Sequence, residues 1–322
     1  MTSPYDIGEI FPDDAAEPVR LPRRQVGSSP QGLAVTLLAD YTLRTRAWMP
    51  SAAIVALLTE TGVSQAGART AISRLARRGV LEGHRHGRRS SYRLTPAAAG
   101  FLSIGGSAIV SPTGTEPWDE HWTVIAFSLP RDRAAQRRGL RAQLRWMGFA
   151  PLYDGLWVSP HELPGKAAAQ LARFAATMTV FRARHVEPGP GPARSPLDAW
   201  DTAAIAREYE SFIDRWHPVP PRIHAGRITG PEAVRARTEV MDTYRRLPIL
   251  DPRLPGPLVP PGWLREPARE LFAAIYDGLA TSAQDHVRAV AARFTDDPLP
   301  GVGAHTVAEL AAGLPAPDAS DD

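Results

Sequence analysis

Residues 64–93, SQAGARTAISRLARRGVLEGHRHGRRSSYR, carry the pattern that decides the fold. Ser64 is a suitable helix N-cap, and small and apolar side chains then recur at three- and four-residue spacing, namely Ala68, Ala71, Ile72, Leu75 and Ala76. This spacing predicts a helix that buries one side. Gly79 ends the helix, and the strand that follows turns at Gly87 and returns. The stretch therefore predicts a helix followed by a two-stranded wing.

The opposite side of the predicted helix carries hydrogen-bond donors. Because each residue advances about 100° around a helix, polar side chains fall on one exposed arc that can reach phosphates or base edges. Together with the basic wing, this arc indicates a DNA-recognition helix. Arg69 and Ser73 are expected nearer to the bases, and Arg88 and Arg89 on phosphates. The full predicted DNA-binding set is Gln65, Arg69, Thr70, Ser73, Arg74, Arg77, Arg85, His86, Arg88, Arg89 and Tyr92.

Positive charge is concentrated in this stretch. Residues 64–93 contain eight arginines and one acid, a net charge of +7, whereas the whole chain is +3. The remainder of the chain is therefore net acidic. A local positive charge is typical of a protein with a polyanionic partner. The alternative is a solvated, arginine-rich surface, but here the arginines coincide with the exposed arc of the predicted recognition helix.

Composition limits the other possibilities. The 322 residues are 43% hydrophobic, which is enough for two or three packed domains. The absence of cysteine excludes disulfides, thiolate catalysis and cysteine-ligated metals. The nine histidines show no metal-ligand spacing, so no metal and no cofactor are expected. With no apolar run long enough for a signal peptide or a membrane span, we predict a cytoplasmic protein without a membrane partner.

The residues before the recognition stretch complete a winged helix. Residues 1–27 lack apolar periodicity and are predicted to form a disordered arm. One helix with an N-cap and a first-turn proline begins at Ser29, and a second begins at Ser51. The order helix, helix, recognition helix and wing predicts a winged-helix DNA-binding domain over residues 28–95.

A second domain is expected over residues 118–187, after a connector at 96–117 that contains one short helix. Its segments alternate in the order strand, helix, hairpin, helix and strand: 121–129, 134–146, 149–158, 165–176 and 178–186. This order predicts a ferredoxin-like α/β domain. Its first and last strands are predicted to present the surface of a homodimer.

The rest of the chain is predicted to be mainly helical. A proline- and glycine-rich linker at 188–197 precedes a helical, ligand-sensing domain at 198–294. Helices are expected there at about 200–216, 231–247 and 267–292. Residues 295–322 are predicted to be a flexible tail. The fold class is thus α+β, with an N-terminal winged helix, a central ferredoxin-like domain and a C-terminal mainly helical domain.

This arrangement resembles the PaaX-like family of transcriptional repressors over residues 28–292. In the recognition segment and the wing, the resemblance rests on Arg69, Ala71, Ile72, Leu75, Gly79 and the run Tyr92-Arg93-Leu94-Thr95. Further along the chain it rests on Gly148-Phe149, Gly155-Leu156-Trp157, Asp251-Pro252-Arg253-Leu254-Pro255, Pro260, Pro261 and Trp263.

The resemblance implies a repressor of the kind that controls phenylacetate degradation in bacteria. Such a repressor dimerises through its ferredoxin-like domain and leaves double-stranded operator DNA when an aryl-acyl-CoA, typically phenylacetyl-CoA, binds. The identity of the ligand is the least transferable part. Tyr244, Arg245, Arg246 and Trp263 combine cationic donors with flat aromatic surface and are the predicted effector-binding residues. Alternatively, they pack the proline-rich loop against the helices.

A catalytic function is the competing hypothesis. A nucleic-acid-processing protein with a metal-dependent, nuclease-like ferredoxin domain would need paired carboxylates. Asp132 follows the first sheet strand, but Arg131 and Arg133 flank it and no second acid accompanies it. No nucleophile, acid–base pair or phosphate-binding glycine motif stands out. The chain is therefore predicted not to be an enzyme.

Overall fold

The computed structural model describes residues 29–87, 89–111, 117–130, 132–163, 171, 177–186, 194–295 and 299–314. They belong to two compact units, neither of which is continuous in sequence. The first lies within residues 112–208 and 247–263, and the second includes residues up to 111, 209–246 and those from 264 onward. The winged helix therefore shares one packed unit with most of the C-terminal helices. The predicted arm at 1–27 lies outside the described residues.

The N-terminal part of the second unit has the predicted winged-helix order. Its elements are α1 (Pro30–Thr42), β1 (Met49–Pro50), α2 (Ser51–Glu60), α3 (Gln65–Arg77), β2 (Leu81–His86) and β3 (Arg89–Leu94). The two predicted N-caps are confirmed: Ser29 accepts a hydrogen bond from the Gly32 amide at 3.0 Å, and Ser64 accepts one from the Gly67 amide at 3.1 Å. The short strand β1 was not predicted; it pairs with β3 and makes the sheet three-stranded, in the order β1-β3-β2.

The first unit contains the predicted ferredoxin-like sheet. Its elements are β4 (Trp122–Ser128), α5 (Ala134–Trp146), β5 (Ala150–Tyr153), β6 (Leu156–Ser159) and β7 (Thr177–Ala183). The antiparallel strands lie in the order β5-β6-β4-β7. The hairpin turn needs glycine, because a Cβ on Gly155 (φ +90°) would lie 2.9 Å from the Phe127 carbonyl oxygen. The predicted helix at 165–176 lies outside the described residues except for Leu171, which is buried.

Both faces of the central strand β4 are covered. On one face Ile125 packs with Leu140 of α5, and on the other Trp122 packs with Trp200 and Leu258. Because Trp122 and Ile125 are buried, the prediction that residues 121–129 present a dimer surface is wrong. Strand β7 lies at the edge of the described sheet and is largely exposed. It remains a candidate for that surface.

The remaining elements are mainly helical: α4 (Pro96–Val110), α6 (Thr202–Trp216), α7 (Val219–His224), α8 (Pro231–Tyr244), α9 (Leu247–Leu250), α10 (Arg265–Gly278), α11 (Ala280–Ala292) and α12 (Val307–Ala312). The predicted helix at 267–292 is in fact two helices, α10 and α11. The first ends at Gly278, where a Cβ would lie 3.2 Å from Ile223 of α7. Within the described ranges, no helix is both long and apolar enough to cross a bilayer.

The predicted connector and the predicted flexible tail pack against each other. Within the connector, α4 runs for 15 residues. In the tail, Thr306 and Glu309 form a capping box that starts α12, and Leu314 accepts a hydrogen bond from Ser103 of α4 at 2.6 Å. The prediction of a flexible tail is therefore wrong over 299–314. Apolar side chains at Val302, Val307, Leu310 and Leu314 are buried there.

Arg237 of α8 lies at the centre of the second unit with none of its surface exposed. Its guanidinium donates to the backbone carbonyls of Tyr276 and His305, and it lies 3.6 Å from the centre of the Tyr276 ring. The Tyr276 hydroxyl donates to Asp40 of α1 at 2.7 Å and lies 3.0 Å from Nε2 of His305. A buried polar network therefore joins the winged helix to the C-terminal helices.

Burial determines the protonation states in this network. It raises the pKa of Asp40 to about 6, although Arg237 and the Tyr276 hydrogen bond both act to lower it. Burial, helped by Arg237, lowers the pKa of His305 to about 3, so this histidine is neutral at pH 7. Since the Tyr276 hydroxyl has one proton and donates it to Asp40, Nε2 of His305 supplies the proton of the second hydrogen bond.

We predict that Asp40→Asn changes how stability depends on pH. The raised pKa of Asp40 means that its contribution is present at about pH 4 and is lost as the pH rises through about 6. The lowered pKa of His305 acts in the opposite direction, because stability returns as the unfolded-state histidine loses its proton toward pH 6.5. Without Asp40, the free energy of unfolding should rise more steeply with pH than in the wild type.

Urea unfolding at pH 4.5, 5.5, 6.5 and 7.5 measures this difference. Asp285→Asn is the matched control, because Asp285 is an exposed carboxylate of α11 in the same unit. The control should have the pH profile of the wild type. If the Asp40→Asn profile also ran parallel to that of the wild type, Asp40 would not titrate as described.

Candidate nucleic-acid interface

The predicted polar arc of α3 is present in the structure. Its side chains are all exposed: Gln65, Arg69, Thr70, Ser73, Arg74 and Arg77. The opposite side of the helix is buried through Ala68, Ala71, Ile72 and Leu75. A helix with one side fully packed holds its other side in a fixed orientation, so the donors of the arc are positioned before any ligand arrives.

The wing carries further basic residues at its tip. Strands β2 and β3 stay in register up to the pairs Arg85–Ser90 and His86–Arg89. Gly87 then turns the chain at a φ of +58°, and its carbonyl accepts a 3.2 Å hydrogen bond from Arg85. Arg85 and Arg89 are exposed. Arg88 and the side chain of His86 lie outside what the structure describes.

The base of the wing is held by charged and aromatic side chains rather than offered to a ligand. Glu82 contacts both Arg46 and Arg93, and the Arg93 guanidinium lies 4.4 Å from the centre of the Trp48 ring. Tyr92 is only partly exposed and lies over Gly83, where a Cβ would be 3.0 Å from its ring. Of the predicted contact residues, Tyr92 is thus the one closest to a structural role.

The few carboxylates of this domain are engaged elsewhere. Residues 29–95 contain three acids, of which Glu82 stabilises the wing, Asp40 belongs to the buried network and Glu60 contacts His286 at 2.8 Å. Among the described residues, no carboxylate lies within salt-bridge distance of Arg69, Arg74 or Arg77. The positive charge of α3 is therefore screened by solvent and not by the protein.

A cavity of about 400 Å³ opens beside the C-terminal end of α3. Among the residues that the structure describes, its lining includes Gln31, Arg74, Arg77 and Arg78. Nη1 of Arg78 donates to the Gln31 side chain at 3.1 Å. Gln31 and Arg78 were not among the predicted site residues. The helical spacing places Arg78 one turn after Arg74, which was a usable signal, but nothing local indicates that Gln31 of α1 lies nearby.

The four predicted effector-binding residues are divided between the two compact units. Tyr244 is 4% exposed and stacks on Phe272 with ring centres 4.1 Å apart. Trp263 belongs to the other unit, where its indole donates to Asp251 at 3.1 Å. A buried, stacked tyrosine offers no surface to a ligand, so Tyr244 is corrected to a core residue.

Arg245 and Arg246 keep some exposed surface and share Asp242. Partial burial lowers the pKa of Arg246. Arg245, Arg246 and the partly exposed Trp263 are the remaining candidates from the predicted effector set. As for metals, no three side chains among His, Asp and Glu of the described residues are grouped as ligands, and Asp132 is exposed.

Comparisons with known proteins cover all three parts of the chain. Family models for a PaaX-like protein, the PaaX protein central Cas2-like domain and the PaaX-like protein C-terminal domain match residues 29–98, 115–194 and 200–289, respectively. The transcriptional repressor PaaX of Escherichia coli (strain K12) is 29% identical over 244 residues, which are 73% of this chain and 75% of the relative. The matches are collinear with the described domains.

Among solved structures, the uncharacterized protein Rv0674 from Mycobacterium tuberculosis has a similar fold. The match has a TM-score of 0.56 and 20% sequence identity, and it covers 82% of this chain and 99% of the other. At this identity the likeness concerns the fold alone. It shows that the three-part arrangement is shared along nearly the whole length of the second protein.

Proposed function

Since the chain belongs to the PaaX-like family, we propose that it is a transcriptional repressor that binds double-stranded operator DNA. The observation that carries this proposal is the arc of exposed arginines on α3, which have no carboxylate partner in the described structure, together with the exposed arginines of the wing tip. The protein acts by binding and not by catalysis. Its place of action is the cytoplasm, where bacterial operators lie.

The positions of these residues suggest that α3 reads bases and that the wing tip contacts phosphates. The N-terminal part of a recognition helix points at base edges in the major groove, which supports Arg69 as a residue that reads the sequence. Ser73 lies one turn further along the same exposed arc. Arg85 and Arg89 at the wing tip are placed for phosphate contacts, which fix the register of the protein but carry no sequence information. Salt should weaken binding strongly, because phosphate contacts release counterions.

We predict that Arg69→Ala relaxes sequence discrimination. An arginine that pairs with a guanine contributes about 1–3 kcal/mol of preference for its base. The operator is a duplex selected from a random library. For the variant, the difference in binding free energy between this operator and a scrambled duplex should shrink by about that amount. The double variant Arg85→Ala/Arg89→Ala should instead weaken binding to both duplexes by the same factor. Fluorescence anisotropy with the two labelled duplexes, at several salt concentrations, measures both effects.

Arg235→Ala is the control for Arg69→Ala, because Arg235 is an exposed arginine of α8 and each substitution removes one positive charge. It should leave both affinities unchanged. If Arg69→Ala preferred the operator over the scrambled duplex as strongly as the wild type does, α3 would not be the element that reads the sequence. Duplex cleavage in the presence of magnesium would support the competing nuclease hypothesis.

Dimerisation is proposed because a single winged helix needs a partner to read a long, palindromic site. Strand β7 supports this proposal. It is an edge strand of the described sheet, and Val180 and Phe181 are 43% and 53% exposed. An edge with unpaired backbone groups and exposed apolar side chains is a ready surface for a second copy.

We predict that Phe181→Asp dissociates the dimer, because it places a charge in the middle of an apolar contact. Light scattering at micromolar concentration should show a dimer for wild type and a monomer for the variant. Tyr153→Asp is the control, since Tyr153 is an equally exposed aromatic residue on β5 at the opposite edge of the sheet. A monomeric wild type would contradict the proposal.

An acyl-CoA effector is proposed from the family resemblance, with phenylacetyl-CoA as the leading candidate. Packing supports the required coupling: the helical domain and the winged helix share the buried network around Arg237. A ligand releases DNA only if it binds the DNA-free conformation more tightly, and DNA must then weaken the ligand by the same factor. Such coupling is typically about 1–3 kcal/mol, a 5- to 150-fold change in affinity.

We predict that phenylacetyl-CoA lowers operator affinity within this range and raises the melting temperature of the free protein. Phenylacetate and CoA should each do less, because neither carries both the ring and the phosphates. Titrating these three compounds and acetyl-CoA into the protein–operator complex provides the test, and Arg246→Ala should reduce the response. If no compound changed the operator affinity or the melting temperature, the proposal of an acyl-CoA effector would be wrong, while the DNA-binding proposal would stand.

A further inference from the structure

We propose that helix α5 of the ferredoxin-like domain carries a second DNA-contact surface that binds backbone phosphates of the duplex. Its three residues, Arg138, Arg141 and Arg145, are called the α5 row. The inference rests on the proposed DNA-binding function and extends the protein–DNA contacts beyond the winged helix. Asp154, in the turn between β5 and β6, is the carboxylate that a phosphate displaces from this row.

The sequence contains a second strongly basic stretch around α5. Residues 133–186 include nine lysines and arginines and two acids, a net charge of +7, which equals that of residues 64–93. The whole chain is +3, so the residues outside these two stretches together carry −11. A local positive charge is typical of a surface with a polyanionic partner. The second stretch therefore needs an explanation as much as the first does.

The cations of this stretch differ in whether the protein neutralises them. Arg182 and Arg184 of β7 each pair with a carboxylate that lies just before β4. Helix α5 contains four arginines and no acid. Among the described residues, the one carboxylate within salt-bridge distance of an α5 arginine is Asp154, which lies 2.6 Å from Arg141. The uncompensated charge of the domain is therefore on α5.

Helical spacing gathers this charge on one side of α5. At about 100° per residue, the four arginines fall within an arc of about 100°, namely Arg137, Arg138, Arg141 and Arg145. Leu140 and Leu144 point the other way and are fully buried in the core of the domain. Arg138 and Arg145 are exposed, and Arg141 is partly exposed. The α5 row is thus a cationic face on a helix that the core holds in place.

Contacts at both ends of the arc fix the arginines further. The Arg145 guanidinium lies 5.4 Å from the centre of the Trp157 ring, and this ring belongs to the core. Nη2 of Arg137 donates to the carbonyls of Leu129 and Pro130 at 2.8 Å and 3.1 Å. Arg137 therefore holds the loop that precedes α5, and it is not counted in the α5 row.

The pair between Arg141 and Asp154 is easily exchanged. The side chain of Asp154 is 94% exposed, and so exposed an ion pair contributes little to stability because solvent and salt screen it. A guanidinium presents a planar fork of donors that matches two phosphate oxygens as well as it matches a carboxylate. A DNA phosphate can thus take the place of Asp154 without opening the fold.

The shape of the α5 row fits a duplex better than a small phosphate compound. The seven residues from Arg138 to Arg145 extend about 10.5 Å at 1.5 Å per residue. One strand of B-DNA advances about 3.4 Å along the axis per phosphate, so a strand beside the row offers about three phosphates. Small molecules bind concave pockets lined mainly by apolar side chains, whereas the exposed side of a helix is convex. A linear polyanion is the matching partner.

The first test replaces Arg138, which has no ion-pair partner among the described residues. Arg138→Gln should bind a selected operator duplex and a scrambled duplex more weakly by the same factor, because phosphates carry no sequence information. Its plot of log affinity against log salt should be shallower by about 0.9, the effect of one lost phosphate contact. Fluorescence anisotropy of the full-length protein over a range of salt concentrations measures both quantities.

The second test uses a gain of affinity, which damage to the fold would not produce. Asp154→Asn removes the carboxylate beside the α5 row, and an asparagine before Gly155 suits the hairpin turn. The variant should bind both duplexes more tightly by up to about fivefold, the equivalent of about 1 kcal/mol for an exposed ion pair. If Arg138→Gln fails to fold, as its melting temperature would show, this variant carries the test.

Arg207 and Glu208 provide matched controls, because both are exposed residues of α6 outside the ferredoxin-like domain. Arg207→Gln and Glu208→Gln change the net charge as the two test variants do, and neither should change affinity or salt slope. An unchanged slope in a folded Arg138→Gln, or an unchanged affinity in Asp154→Asn, would overturn the α5 contact while leaving the winged helix in place. Failure of the wild type to bind any duplex would overturn the proposed function itself.

Two further measurements test for another occupant of the α5 row. Light scattering should give the same oligomeric state for Arg138→Gln and wild type, and a difference would assign the row to a second copy of the chain. Phenylacetyl-CoA should shift the melting temperatures of both proteins equally, and a shift that the variant loses would assign the row to the phosphates of the acyl-CoA. Either result would overturn the assignment to DNA.

Discussion

Burying an arginine is unfavourable unless its charged group is hydrogen-bonded, and the second compact unit converges on Arg237. Both terminal nitrogens of its guanidinium donate to backbone carbonyls, whereas its buried Nε has no hydrogen-bond partner in the described structure. Leaving a buried hydrogen-bonding group without its partner costs about 1–3 kcal/mol, and more when the group is charged, so the surrounding groups are strongly constrained. The Arg237 guanidinium donates to the backbone carbonyls of Tyr276 and His305. The carboxylate of Asp40 accepts a hydrogen bond from the hydroxyl of Tyr276. Tyr276, His305 and Asp40 come from α10, the C-terminal tail and α1. These distant segments must therefore converge for the unit to be stable.

This convergence makes the winged helix part of a larger body. Helix α1 contributes Asp40 to the network, and the amide of Gly303 in the tail donates to the Tyr41 carbonyl at 2.8 Å. The packing of α4 against residues 299–314 closes the same unit from another side. A ligand that shifts the C-terminal helices must then disturb α1, which packs on α3. The coupling that we propose between an effector and DNA would then act through direct packing within one unit, without a hinge between separate domains.

Local signals allowed much of this fold to be predicted from the sequence. The caps at Ser29 and Ser64 and the hairpin within residues 149–158 depend on residues within a few positions of each other, and all three are confirmed. The arc of α3 was predicted from periodicity alone. The ferredoxin-like strand order followed from counting elements, since few topologies accommodate them.

The features that escaped prediction depend on partners far away in sequence. Arg237 resembles a solvated helix arginine, because its acceptors follow 39 and 68 residues later. The tail was mistaken for a flexible end because prolines and acids dominate its composition, while the Thr306 capping box was the overlooked local sign of a helix. Tyr244 was predicted to contact a ligand because the sequence does not show that its ring stacks on Phe272 of another helix.

The distribution of carboxylates explains how one small domain can be both stable and strongly positive. Arginines with a structural role are paired, as Arg46 and Arg93 are with Glu82, and Arg44 with Glu309. Those on the exposed arc of α3 are left to repel one another, at a cost of a few tenths of a kcal/mol per helical pair. Arg74 and Arg77 lie in the last turn, where the helix dipole partly offsets this repulsion. A bound polyanion neutralises the remaining repulsion between these arginines. Relief of that repulsion therefore contributes to the affinity of the domain for DNA.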